Sequence, residues 1–78
     1  MRKIEDIAAW RLFFRAVELG CLARVAEESG LESSSVSRQL RHLENELQIQ
    51  LLYRSPHGVS ATGPGSQVYS RMRPLIDE

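Results

Sequence analysis

A single cysteine, Cys21, stands among 78 residues. One thiol cannot close an internal disulfide. Cys21, His42 and His57 also lack the spacing of metal ligands, so no metal is expected. No apolar run approaches the ~20 residues needed to cross a bilayer. The start, Met1-Arg2-Lys3-Ile4-Glu5-Asp6, has two basic residues but no apolar segment after them, so no secretion signal is read and the cytoplasm is expected. Glycine-rich phosphate loops, nucleophile elbows and metal motifs are absent. Glu44 and Glu46, two apart on a helix, point to different sides and form no acid/base pair. An enzyme reading has no residues to rest on, and no cofactor is expected.

Excess charge of either sign is also missing, because the formal net charge is zero. The distribution is uneven. Glu5, Asp6, Glu18, Glu27, Glu28, Glu32, Glu44 and Glu46 crowd the first part of the chain, and no acid lies between Glu46 and Asp77. Ser33 to Leu43 is likewise free of acid and holds Arg38, Arg41 and His42. One face can therefore be positive on a neutral molecule. Apolar residues make up 42 % of the chain, enough for one small folded domain.

Periodicity divides that domain. Ile4 to Leu19 reads as a helix, with Trp10, Phe13, Phe14 and Val17 on one stripe and Gly20 as the left-handed residue after its end. Leu22 to Ser29 reads as a short second helix, with Leu22, Val25 and Ala26 inward and Gly30 ending it. A third helix is expected over 33–47, with Val36, Leu40, Leu43 and Leu47 on its inner side. At ~1.5 Å per residue it is roughly 22 Å long. Leu51 to Arg54, the turn residues Ser55-Pro56-His57-Gly58, and Val59 to Ala61 read as a β-hairpin. Thr62-Gly63-Pro64-Gly65 reads as a breaker with a cap. A last helix is expected from Ser66, with Val68, Tyr69, Met72, Leu75 and Ile76 apolar and Pro74 kinking or ending it.

This order predicts a mainly α, winged helix-turn-helix fold: a three-helix core, a two-stranded wing and a C-terminal helix. Ala26 supplies the small residue where two steeply crossing helices touch. Gly30 supplies the positive φ of the turn. Ser34, Ser35, Ser37, Arg38, Arg41 and His42 are then left outward. Small polar side chains let a helix sit close to base edges, and arginines reach phosphates or guanine. Two functional readings follow from spacing alone. One is duplex DNA binding; the other is a protein-interaction module on the same fold.

Beyond spacing, the stretch Leu22 to Leu52 resembles the N-terminal domain of LysR-type transcriptional regulators. The matching residues are Phe13, Arg24-Val25-Ala26-Glu27, the run from Val36 through Ser37-Arg38-Gln39-Leu40-Arg41-His42-Leu43-Glu44-Asn45-Glu46-Leu47, and Gln50-Leu51-Leu52. Arg54, Gly58-Val59, Thr62 and Gly65 extend the match. The resemblance implies sequence-specific binding of double-stranded DNA at an inverted repeat by a homodimer or higher homo-oligomer. The recognition helix 33–47 would enter the major groove, and the wing 52–61 would reach the minor groove. It implies DNA contacts by Ser33, Ser34, Ser35, Ser37, Arg38, Arg41, His42, Arg54 and His57. Val68, Tyr69, Met72 and Ile76 would pair two chains through a linker helix. Residues 1–62 would form the DNA-binding domain and 63–78 the start of that linker. The family's effector-binding domain, through which a small molecule acts, does not occur within the 78 residues. Departures are local: Glu32-Ser33-Ser34 stands for Ser-Gln-Pro, with Ser33 expected to cap, and Cys21-Leu22-Ala23 lacks a hydroxyl. Gln48 replaces a common glycine, His57 a frequent arginine, and Gly63-Pro64 the usual Glu-Ala.

Overall fold

The computed structural model describes residues 7–76. It contains α1 (Ile7–Leu19), α2 (Leu22–Ser29), α3 (Ser33–Leu47), β1 (Leu52–Ser55), β2 (Gly58–Ala61) and α4 (Gly63–Ile76). The expected start of the first helix, Ile4 to Asp6, lies outside the described residues. The fold is the winged helix-turn-helix, mostly helical with one antiparallel two-stranded sheet.

The core is built around α1. Trp10, Phe13 and Phe14 are buried together with Val25 and Ala26 of α2, Val36, Leu40 and Leu43 of α3, and Leu51 and Leu52. Phe13 and Phe14 meet the ring of Tyr69 edge-on, at 6.4 and 5.8 Å between centroids, an arrangement that favours ring quadrupoles. Between α2 and α3, Gly30 takes φ 72°. Its N–H reaches Glu27 O at 3.4 Å and that of Leu31 reaches Ala26 O at 2.9 Å, which closes α2 with a Schellman-type cap. The next helix therefore starts within two residues, across the buried Ala26.

After α3, Gln48 occupies the left-handed position at φ 58° that glycine fills more easily. Its side-chain amide donates to Asn45 O at 2.8 Å. The chain is then held from two sides. From α3, the Glu44 carboxylate accepts the amides of Leu51 (2.8 Å) and Leu52 (3.0 Å) and faces Arg54 Nη1 at 3.4 Å. From beyond the hairpin, Thr62 N donates to Leu51 O at 3.0 Å and Thr62 Oγ1 donates to Gln50 O at 2.6 Å. Thr62 also caps α4, since its hydroxyl oxygen accepts Gly65 N at 2.9 Å.

One expectation for this region needs correction. Gly63-Pro64-Gly65 is no breaker but the first turn of α4, where a proline's missing N–H is unneeded. Pro74 lies inside α4, which runs to Ile76. Val68, Tyr69, Met72 and Ile76 are half-buried against the core of their own chain. The tie between α4 and α1 is also polar. Glu18 accepts hydrogen bonds from Tyr69 Oη, from Arg73 Nε at 2.8 Å and from Arg15 Nη1 at 2.6 Å. Arg15 also grips Glu28 through two nitrogens, at 2.6 and 3.1 Å. Burial opposes the Glu18 charge, but the bonds from Tyr69, Arg15 and Arg73 outweigh it and hold this carboxyl below the usual carboxylate range.

Three outcomes are expected. A Cβ on Gly65 would stand 2.0 Å from Leu51 O, whereas one on Gly63 meets nothing within 4 Å. Gly65→Ala should lower the unfolding free energy measured in urea sharply, and Gly63→Ala should hold it or raise it by up to ~1 kcal/mol. Glu44→Ala leaves two amides and Arg54 without their acceptor and should cost about 3 kcal/mol; in a double-mutant cycle with Arg54→Met the losses should not add. Because the folded pKa of Glu18 is lowered, its contribution is complete above the ordinary value of ~4.3 and is lost as pH falls through the folded value. The gap in urea midpoint between wild type and Glu18→Gln should therefore be widest near neutrality and narrow below about pH 4.

Candidate nucleic-acid interface

The outward side of α3 follows from its inward side. Val36, Leu40 and Leu43 are fully buried. At about 100° per residue, Ser34, Arg38, Arg41 and Asn45 then fall diametrically opposite. The structure places them there, all four exposed. Ser33 and His42 are exposed on the flanks, while Ser35 and Ser37 are half-buried. Arg38 Nη2 donates to Ser35 Oγ at a long 3.4 Å. Arg41 has no hydrogen bond or ion pair among the described residues. His42 Nε2 lies 3.8 Å from Glu46 Oε2, one turn on.

Ser33 does not cap α3. Glu32 takes the N-cap backbone conformation, φ −89° and ψ 152°, and makes no side-chain cap bond. The first intrahelical bond runs from Val36 N to Glu32 O at 3.1 Å. The amides of Ser33, Ser34 and Ser35 thus point out of the helix end without an intrahelical acceptor, a geometry that suits an anion. Glu44, one turn on from Arg41, is spent on Leu51, Leu52 and Arg54.

The wing lies beside the start of α2. β1 and β2 pair from Leu52↔Ala61 to Ser55↔Gly58, leaving Pro56 and His57 as the exposed two-residue turn. Val59 N donates to Gly20 O at 3.1 Å. Gly58 has φ 129°, and a Cβ there would stand 2.3 Å from Gly20 O, so only glycine admits this approach. The turn and the α2 start enclose a shallow crevice lined by Cys21, Leu22, Arg54, Pro56, His57 and Val59.

Arg54 is placed otherwise than a DNA-reaching wing cation. Its side chain is only 20 % exposed and faces Glu44. Its Nε and Nη2 are buried with no hydrogen-bond partner among the described residues. The structure thus places Ser33, Ser34, Arg38 and Arg41 on the exposed side of α3 and His57 in the hairpin turn, and turns Arg54 inward to Glu44. Two exposed residues were passed over in the sequence. Asn45 continues the Ser34, Arg38, Arg41 row, and its spacing was the signal. Tyr53, 57 % exposed on the outer wing face, was foreshadowed by its alternation with Leu52.

Among the described residues no helix is long and apolar enough to cross a membrane, and no group of three or more metal-ligating side chains occurs. Residues 7–66 match the model for "Bacterial regulatory helix-turn-helix protein, lysR family". The Salmonella typhimurium protein named "Probable HTH-type transcriptional regulator SinR" is 38 % identical over 64 residues, which cover 82 % of this chain and 20 % of that protein. The chain thus spans about a fifth of that relative's length. Among solved structures, the BenM_DBD/catB site 1 DNA complex superposes with a TM-score of 0.85 at 31 % identity, covering 91 % of this chain and 76 % of that one. The CbnR_DBD-DNA complex gives 0.87 at 25 % identity, covering 92 % and 83 %. These relatives are regulators of transcription, not enzymes. With its helix order, its wing and 60 of its residues (7–66) matched, the chain belongs to the lysR family of bacterial regulatory helix-turn-helix proteins.

Proposed function

We propose that this chain binds double-stranded DNA sequence-specifically, with α3 in the major groove and the wing 52–61 at the neighbouring minor groove. The observation that carries this reading is the acid-free, exposed row Ser34, Arg38 and Arg41, opposite the side that Val36, Leu40 and Leu43 bury. The likeness to two DNA-bound domains supports it. The free amides at Ser33 to Ser35 receive a phosphate. Ser37 and Arg38 meet phosphate and base edges, Arg41 meets the DNA backbone, and His42 lies at the border of the contact. His57 is the wing's contact. Arg54 holds the wing from within through Glu44 rather than touching DNA.

Two copies of the chain bind an inverted repeat. The stripe Val68, Tyr69, Met72 and Ile76 is largely spent on its own core. Pairing through α4 therefore uses the side left open, which carries Gln67, Ser70, Arg71 and the 75 % exposed Leu75. A small-molecule effector would act through a domain outside these residues. Association with the nucleoid follows from the same DNA reading.

Fluorescence anisotropy with a random-sequence duplex at two salt concentrations tests the reading. Affinity should fall steeply with salt, each phosphate contact adding ~0.9 to the log–log slope. Arg38→Ala should weaken binding by about one to two orders of magnitude and leave the urea midpoint within ~0.5 kcal/mol of wild type. Salt-insensitive or absent binding would instead favour the protein-interaction module.

A further inference from the structure

Arg54 is the only Arg or Lys in the hairpin, 52–61, and its side chain is turned inward to Glu44. The outer end of the wing is left with Pro56 and His57, both exposed. The turn is tied by its own groups. His57 N donates to Ser55 Oγ at 3.1 Å, and Ser55 Oγ donates to Gly58 O at 3.4 Å. The imidazole itself has no hydrogen bond or ion pair among the described residues. Two other titratable side chains line the crevice beside it, Cys21 from the start of α2 and Arg54 from β1; no carboxylate does.

We infer that proton uptake by His57 sets how strongly the wing holds a DNA phosphate, so that affinity for duplex rises as pH falls through the imidazole range. The inference rests on the DNA-binding reading above. A neutral imidazole brings no charge to a phosphate, whereas the imidazolium is a cation with two donors. A phosphate favours the charged form, so forming the complex draws a proton onto His57. With Arg54 withdrawn, nothing else in the hairpin supplies that charge. The chain's second histidine, His42, does not duplicate the role. It lies on α3, outside the hairpin, with Nε2 3.8 Å from Glu46 Oε2.

The test is an anisotropy titration of the chain with random-sequence duplex at about pH 5.5 and about pH 8, on either side of the ordinary histidine pKa of ~6.5. Wild type should bind about fivefold tighter at the lower pH, with a log–log salt slope steeper by ~0.9. His57→Arg should bind tightly at both pH values, and His57→Gln weakly at both. His42→Gln should keep the wild-type response. Far-UV circular dichroism at each pH checks that every variant is folded. Binding without pH dependence in wild type, or a dependence that survives His57→Gln or vanishes with His42→Gln, would overturn the inference alone. Absence of binding by every variant at both pH values would overturn the DNA reading with it.

Discussion

Glu44 sits in the last turn of α3, where the negative end of the helix dipole disfavours an acid. It stays because three donors converge on it from the chain that follows: Leu51 N, Leu52 N and Arg54 Nη1. That convergence makes the end of α3 and the start of the wing one rigid piece. Thr62 completes the seam by taking the carbonyls of Gln50 and Leu51 while capping α4. Residues 50–52 are thus bonded on both edges, and three elements radiate from them at set angles. The buried nitrogens of Arg54 without acceptors are the cost of placing a cation there.

The neutral net charge is reconciled with a DNA-facing surface by the same economy of placement. Glu18 and Glu28 are neutralised by Arg15 and Arg73 where α1 meets α2 and α4. Glu44 is neutralised in the seam by Arg54. These three acids therefore have their own partners, away from Ser34, Arg38 and Arg41. Net charge sums over the molecule, but a phosphate responds to the nearest face, within about a Debye length of ~8–10 Å.

The parts legible in the sequence are those with local causes. The bounds of α2 and α3 matched because Gly30 and the three- and four-residue apolar steps act within a few residues. The outward row on α3 was legible for the same reason, being the complement of a buried stripe. What stayed hidden depends on contacts between distant segments. The spacing of Val68, Tyr69, Met72 and Ile76 says that a face is covered, not whether the cover is the same chain. Gly63-Pro64-Gly65 has the composition of a breaker, yet Gly65 is required by a carbonyl fourteen residues earlier, that of Leu51. Nothing local links Glu44 to Arg54 across ten positions, so a residue read as a DNA-reaching cation is an internal strut.

The cap at Thr62 has a mechanical consequence. Because Thr62 bonds α4 to Gln50 and Leu51, α4 is a handle fastened at the joint between α3 and the hairpin. A pull or twist on its far end passes first through the contacts of Arg73 and Tyr69 with α1 and then reaches that joint. The wing, moored to Gly20 as well, would resist. Helix α3, fastened to that wing through Glu44, would share the load rather than turn alone.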